Sequence, residues 1–567
     1  MQQLAVMERG LAGSERHPDG IFILGELEVF ALPPPKAYDY IVVGGGSAGC
    51  TLAGRLSEIS DARALLVEAG PSDSARSIHL PVGFYKMTTG PLTWGYSTAP
   101  SPQRDGASMP YVQARVLGGG SSINAMVFTR GNRADYDEWA SDAGCDGWSF
   151  ADVLPYFRRS EDNARFANEF HGTGGPIGAS DLVSPHPLSK AFVLAAQQAG
   201  IPYNPDFNGA TQAGCGIYQV TQRDARRCSA AVAYLHPAVE RGNLDVITGV
   251  LITRVAVENG RATSIEYVEN GQLRSARAEQ EIIIACGAIG SPRLLLHSGI
   301  GPAEELQALG IAPVLDLPGV GKNLQDHVDV YSIHELTGPH SYDRHTHPHK
   351  MLLAGLEYLL FKSGPVTSNL AEAGGFWYVD REQRSPDIQL HFLPGAGLEA
   401  GVPPVPGGYG CTINSCLLRP RSRGSVYLRS SDPQDSPVID PNYWADPYDL
   451  EMSLDGFELT REIASQPALR KYIRKEHLPG PRARTREALK AYARRYGKTD
   501  YHPVGTCKMG VDEMAVVDPL CRVRGIDGLR VADSSIMPRL ISSNTNAASI
   551  MIGEKASDLI RGNRLAG

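Results

Sequence analysis

Several protein classes leave marks that this sequence lacks. No CxxC pair occurs, and the nine cysteines are scattered and odd in number. That pattern excludes a disulfide framework or a cysteine zinc site. No run of about 20 apolar residues is present, so no transmembrane helix is expected. There is no basic excess either: 54 Lys and Arg stand against 62 Asp and Glu, a net charge of −8. A nucleic-acid partner would ask for a positive stripe. Internal repeats and low-complexity tracts are missing as well. The amino terminus makes a poor secretory signal, because Glu8 sits early and Glu26 and Glu28 interrupt the best apolar run. What remains is a globular chain of ordinary composition, long enough to bury large cores and expected in a reducing, cytoplasmic setting.

What the chain does have is turn residues, 61 Gly and 40 Pro. Pro33-Pro34-Pro35 closes an amino-terminal extension, taken as residues 1–37, with a stiff linker. Residues 38–43 are apolar and β-branched and read as a buried strand. Gly44-Gly45-Gly46-Ser47-Ala48-Gly49 follows, then Leu52, Leu56 and Ile59 at helical spacing. Residues 64–67 form a second strand that ends at Glu68. This order suits a dinucleotide. The glycine turn admits a pyrophosphate, and the helix start offers free N–H groups and a positive dipole end. A carboxylate at the tip of the second strand accepts from ribose hydroxyls, which favours FAD or NAD over NADP.

Further along, residues 246–248, 251–257, 264–268 and 273–278 read as a meander of short strands. Asn259-Gly260 and Asn270-Gly271 form its turns. Residues 281–285 return to a buried strand, and a helical stretch begins at Leu294. Another strand, 529–533, ends at an acid, and 547–559 reads as a closing helix. The sheet of the opening is thus expected to draw on distant segments.

Residues 114–124, Ala-Arg-Val-Leu-Gly-Gly-Gly-Ser-Ser-Ile-Asn, resemble the first signature of the glucose–methanol–choline (GMC) flavin oxidoreductases. Residues 287–301 resemble the second, while 501–510 and 531–546 are similar to the family's carboxy-terminal active-site segments. The resemblance implies an α/β fold with a discontinuous Rossmann-like FAD-binding domain (38–160, 215–327 and 500–567). A substrate-binding cap with an antiparallel sheet (161–214 and 328–499) would complete it. It further implies that Gly44, Gly46, Ser47, Ala48, Gly49 and Glu68 hold the ADP half of FAD. Val116, Gly118, Ser122, Asn124 and Ala125 would line the flavin and its phosphates. The Val250 backbone would meet the adenine, and Asp533 and Thr545 the ribityl–pyrophosphate side. Relatives with covalent FAD carry a His where Ile123 stands, so non-covalent FAD is expected.

Alcohol oxidation needs a base for the hydroxyl proton and an acceptor for the hydride, and an imidazole suits the first task. The resemblance assigns His502 and Asn544 as the catalytic pair. The expected reaction is oxidation of a primary alcohol to an aldehyde, with oxygen or a quinone as electron acceptor. A quinone would bring peripheral membrane contact with it, although no amphipathic anchor stands out in the sequence. The alternative is a lyase or fatty-acid photodecarboxylase of the same family, a branch that lacks the His at position 502. An NAD enzyme and a non-catalytic binding protein are the remaining alternatives. His345, His347 and His349 alternate, but Pro348 and the polar setting read as a loop, and no metal site is expected. Glu372 falls where choline-oxidising relatives place an acid, and a carboxylate there would suit an ammonium group. Asp326-His327 matches a family loop and reads as structural.

Overall fold

A computed structural model describes residues 36–398 and 402–562. The expected extension lies, up to residue 35, outside the described residues. Two seven-stranded sheets organise the rest.

The first sheet forms around Lys36–Val43 because Ile41, Val42 and Val43 are buried with apolar neighbours on both sides. Its order is Leu244–Thr248, Ala64–Glu68, Lys36–Val43, Gln272–Ile284, Arg261–Glu269, Leu251–Glu258, with Leu529–Val531 also pairing Gln272–Ile284. The glycine turn leads into helix Ser47–Leu56. Gly44 has φ +99°, and a Cβ on Gly49 would stand 1.8 Å from the Gly44 carbonyl oxygen. Only glycine permits that turn. The closing helix, Asn546–Arg561, packs on Ser47–Leu56. Buried Glu554 fixes the pair by accepting from Arg55, Arg159 and the Tyr234 hydroxyl. That packing sets where residues 544–546 stand.

Two strand expectations change. Residues 273–278 and 281–285 are one 13-residue strand, Gln272–Ile284. It pairs antiparallel with Arg261–Glu269 at one end and parallel with Lys36–Val43 at the other. No glycine or proline interrupts it, so the strand simply changes partners. Leu244–Thr248 is not part of the meander; it runs parallel to Ala64–Glu68 at the sheet edge.

The second sheet is antiparallel throughout: Ile473–Leu478, Val328–Leu336, Gly410–Leu417, Ile388–Leu393, Ala373–Trp377, Gly214–Ile217, with Lys498–Thr499 also pairing Val328–Leu336. Its central strands are buried on both faces. The register sets Asp329 opposite both Lys498 and Cys416. The same ends of these strands deliver His327, Leu418 and His502 to one place. The His345–His349 tract is not a loop. It spans the 3-10 turn Tyr342–Thr346 and the start of helix Pro348–Phe361, where Pro348 takes the first helical position. Among the described residues no helix is long and apolar enough to cross a membrane.

Candidate active site

One cavity runs from the glycine turn to the end of the antiparallel sheet. Its walls carry Gly44, Gly46, Ser47, Ala48 and Glu68 at one end, then Val116, Asn124, Ala125, Asp533 and Thr545, and His502 with Asn544 at the other. Four expected residues stand behind the wall. Gly49 supports the turn, and the Ser122 hydroxyl donates to the Leu117 carbonyl at 2.7 Å. A side chain on Gly118 would meet that hydroxyl. The Val250 N–H donates to the Glu68 carbonyl at 3.3 Å, leaving Leu251 and Ile252 on the wall.

The nucleotide end is built from backbone. Glu68 accepts the Gly45 N–H at 2.8 Å and the Gly70 N–H at 2.6 Å, so each carboxylate oxygen ties a turn in place. Burial pushes its pKa up against those bonds. Asp533 plays a similar part, accepting from the Gly287 N–H, the Ser291 hydroxyl and the Ser535 N–H. The first residues of both long helices, Ser47–Leu56 and Asn546–Arg561, lie on the wall, and the Ser47 hydroxyl donates to the Asn546 side chain at 2.8 Å. Two positive helix ends therefore meet on the wall beside the glycine turn, where a pyrophosphate would lie. The side-chain-free turn, the paired helix ends and an elongated cavity fit FAD.

At the other end the hydrogen bonds of Asn544, His502 and His327 fix one another's directions. Asn544 Oδ1 accepts from the Thr129 hydroxyl at 3.0 Å and from Gln389 Nε2 at 2.9 Å. Its Nδ2 therefore faces His502 Nε2, at 3.2 Å, as donor. His327 Nε2 lies 3.2 Å from the Leu418 carbonyl, which can only accept, so that nitrogen carries the proton. His327 Nδ1 is then an acceptor, and His502 Nδ1, 3.0 Å away, must donate to it. This fixes the tautomer of His502: proton on Nδ1, lone pair on Nε2. Burial, then the positive fields of His391 and Lys498, drive the His502 pKa down to about 3. The Asp500 carboxylate lies 3.4 Å from Nδ1. His327 is held well below its usual range, chiefly by burial. Both rings are thus neutral at neutral pH.

Asp326 anchors this pair. Its Oδ1 accepts the backbone N–H of His502 at 2.8 Å and of His327 at 2.9 Å. Its Oδ2 accepts from the hydroxyls of Tyr111, Thr499 and Tyr443. Burial nevertheless lifts its pKa to about 6. His327, read from the sequence as structural, therefore touches the candidate base directly. The signal available was the Asp-His pair inside a family loop, which does not say what the imidazole faces. Thr129 and Gln389 were missed because nothing in the chain order links them to Asn544.

Glu372 stands apart. Its two oxygens accept from the His186 N–H, Ser189, Tyr342 and Ser368, each at 2.6–2.7 Å, and it is fully buried off the cavity wall. Its neighbour Ala371 lines the cavity instead. Among the described residues one group has the spacing of a metal site, Asp329, Cys416 and Asp500. The Lys498 ammonium sits 2.8 Å from Asp329, however, and burial keeps the Cys416 thiol protonated. His347 and His349 stack with ring centres 6.0 Å apart, while His345 turns to Tyr342. The three histidines do not converge.

The glycine-turn dinucleotide fold and a cavity that fits FAD agree with the class that the chain's family defines: an FAD-dependent oxidoreductase acting on CH–OH donors. Residues 38–329 and 420–553 match the two profiles of the GMC oxidoreductases, and the chain belongs to that family. It is 42% identical to an alcohol dehydrogenase [acceptor] of Pseudomonas putida, over 92% of this chain and 95% of that one. It is 43% identical to the mitochondrial choline dehydrogenase of Homo sapiens, over 93% of this chain and 90% of that one. Pyridoxine 4-oxidase from "Mesorbium loti" superposes with a TM-score of 0.84 at 30% identity, over 93% of this chain and all of that one.

Proposed function

We propose that the enzyme oxidises an uncharged primary alcohol to an aldehyde, with His502 as base. The observation that carries this reading is the forced tautomer of His502, whose Nε2 lone pair stands beside the Asn544 amide on the cavity wall. When bound, FAD supplies the hydride acceptor. When the alcohol binds, the Asn544 Nδ2–H that donates to His502 Nε2 turns to the alcohol oxygen, and the freed Nε2 lone pair takes the hydroxyl proton. His327 Nδ1 keeps the second ring proton of His502 in place, so the imidazolium that forms stays aligned. The alcohol loses one proton and one hydride and leaves as the aldehyde.

The substrate end supports an apolar chain. Ala125, Met126, Val127, Ala371 and Leu393 line it, and Glu372 is committed to four donors rather than free for a cation. The wall also supports non-covalent FAD, because Ile123 offers no nucleophile there. In this reading residues 38–160, 215–327 and 500–567 hold FAD and 161–214 with 328–499 close the substrate end.

Anaerobic mixing with a series of linear alcohols and with choline tests the proposal. Flavin bleaching by the alcohols, and little by choline, is expected. Choline bleaching as fast as the alcohols would overturn the substrate assignment, and no bleaching by any alcohol would overturn the reaction. Readmitting air and assaying peroxide then separates oxygen from a quinone as acceptor. Acid precipitation should leave the yellow colour in the supernatant.

A further inference from the structure

Helix Pro348–Phe361 is turned inside out. Leu352, Leu353, Leu356, Leu359, Leu360 and Phe361 are 44–72% exposed, while Ala354 and Tyr358 are its buried residues. At 3.6 residues per turn, the five leucines form one outward stripe. A surface helix of a water-soluble protein normally turns such a stripe inward. An apolar patch of this kind marks an interaction site. The helix belongs to neither family profile, which end at residue 329 and resume at 420.

Charge identifies what covers it. Arg344 and Lys350 flank the amino end and Lys362 caps the carboxy end. The helix's one acid, Glu357, folds back onto the next turn, where the Ser363 hydroxyl donates to it at 3.3 Å and a Cβ on Gly364 would strike its carboxylate. The leucine stripe thus runs between cations at the two ends of the helix. A second copy docked about a two-fold axis would set these cations against themselves. An anionic lipid surface pairs with both the end cations and the stripe. With 14 residues the helix is about 21 Å long, too short to cross a bilayer but suited to lie in its interface.

We propose that helix Pro348–Phe361 docks the enzyme on an anionic phospholipid surface, leucines in the acyl boundary and cations among the headgroups. The helix packs on Pro365–Thr367, which packs on Pro81–Lys86, and Phe84 of that segment lines the cavity. The docked face therefore lies two packed turns from the cavity wall. The proposal does not depend on the chemistry at His502.

The test is sedimentation of the purified flavoprotein with vesicles of phosphatidylcholine, alone or mixed with phosphatidylglycerol. It should pellet with the mixed vesicles and bind roughly tenfold or more weakly to phosphatidylcholine alone. The L356E/L360E variant should lose vesicle binding by roughly tenfold or more while keeping bound flavin and turnover of a water-soluble alcohol. K350E/K362E should lose the preference for phosphatidylglycerol. Wild-type protein left in the supernatant with both vesicles would overturn the proposal, as would L356E/L360E pelleting like wild type. A wild-type dimer that L356E/L360E converts to monomer, without vesicle binding, would assign the face to a second copy instead. An unchanged lipid preference in K350E/K362E would overturn the charge half.

Discussion

In the parallel sheet, the cavity wall is written in one short stretch of chain. Gly45 and Glu68, 23 residues apart, already meet through a hydrogen bond. At the end of the antiparallel sheet, His502 meets His327 across 175 residues, and beside them Thr129 meets Asn544 across 415. The first region is a local motif that a βαβ unit closes by itself. The second exists only when strands Val328–Leu336, Gly410–Leu417 and Lys498–Thr499 lie in register. Cofactor binding and alcohol chemistry therefore depend on different kinds of folding, and substitutions should separate them.

The largest effect is expected at the local motif. Gly49→Val places a side chain against the Gly44 carbonyl, where even a Cβ would stand at 1.8 Å. Protein purified from this variant should carry no flavin absorbance; retained yellow colour would break the comparison from the parallel side. Next comes His502→Ala. It should keep its flavin but lose roughly 10²–10⁴-fold in kcat, the usual span for a missing general base. Near wild-type turnover in this variant would falsify the assignment of His502.

His327→Leu should have a smaller effect, with flavin again retained. It removes the acceptor that fixes the His502 tautomer, so kcat should fall by roughly tenfold or more while KM changes little. His327→Asn, whose amide can accept from Nδ1, should recover part of that loss. A purely structural His327 would lower the melting temperature of both variants alike and leave kcat untouched.

Glu372→Gln sharpens the comparison from outside the cavity. An amide cannot accept from all four donors, so stability should drop by about 1–3 kcal/mol with substrate preference unchanged. A change in the ratio of choline to linear-alcohol turnover would place Glu372 in the substrate site after all.

The last effect concerns pH. The His502 pKa lies at about 3 in the folded protein against 6.5 unfolded. The unfolded state therefore binds the proton more tightly. The stability tied to neutral His502 is fully present above pH 6.5 and falls as the pH drops toward 3. Thermal melts of His502→Ala between these limits should show a shallower loss than wild type. For the same reason the profile of kcat/KM should show no histidine step between about pH 5 and 8.

Much of the parallel region was legible in the sequence. The strand, glycine turn, helix and Glu68 follow one another, and their spacing carries their roles. Less was legible in the long strand Gln272–Ile284, which reads as two because its polar middle breaks the apolar pattern while its backbone pairing continues. Helix Pro348–Phe361 was hidden for a different reason. Its composition shows that it is apolar, but only its seat on the protein shows that the leucines face outward. The burial of Glu372 was not legible either, because its four donors come from segments far apart in the chain.

By itself the sequence determined the dinucleotide-binding opening and the family, because these rest on short-range order and on residue types that few folds combine. The tertiary structure alone decided which nitrogen of His502 carries the proton, that His327 and Asp326 hold it, and that Glu372 is withdrawn from the cavity. The physical reason is that a hydrogen bond's direction depends on every partner in the network, and those partners are joined by packing and strand register rather than by neighbourhood in the chain.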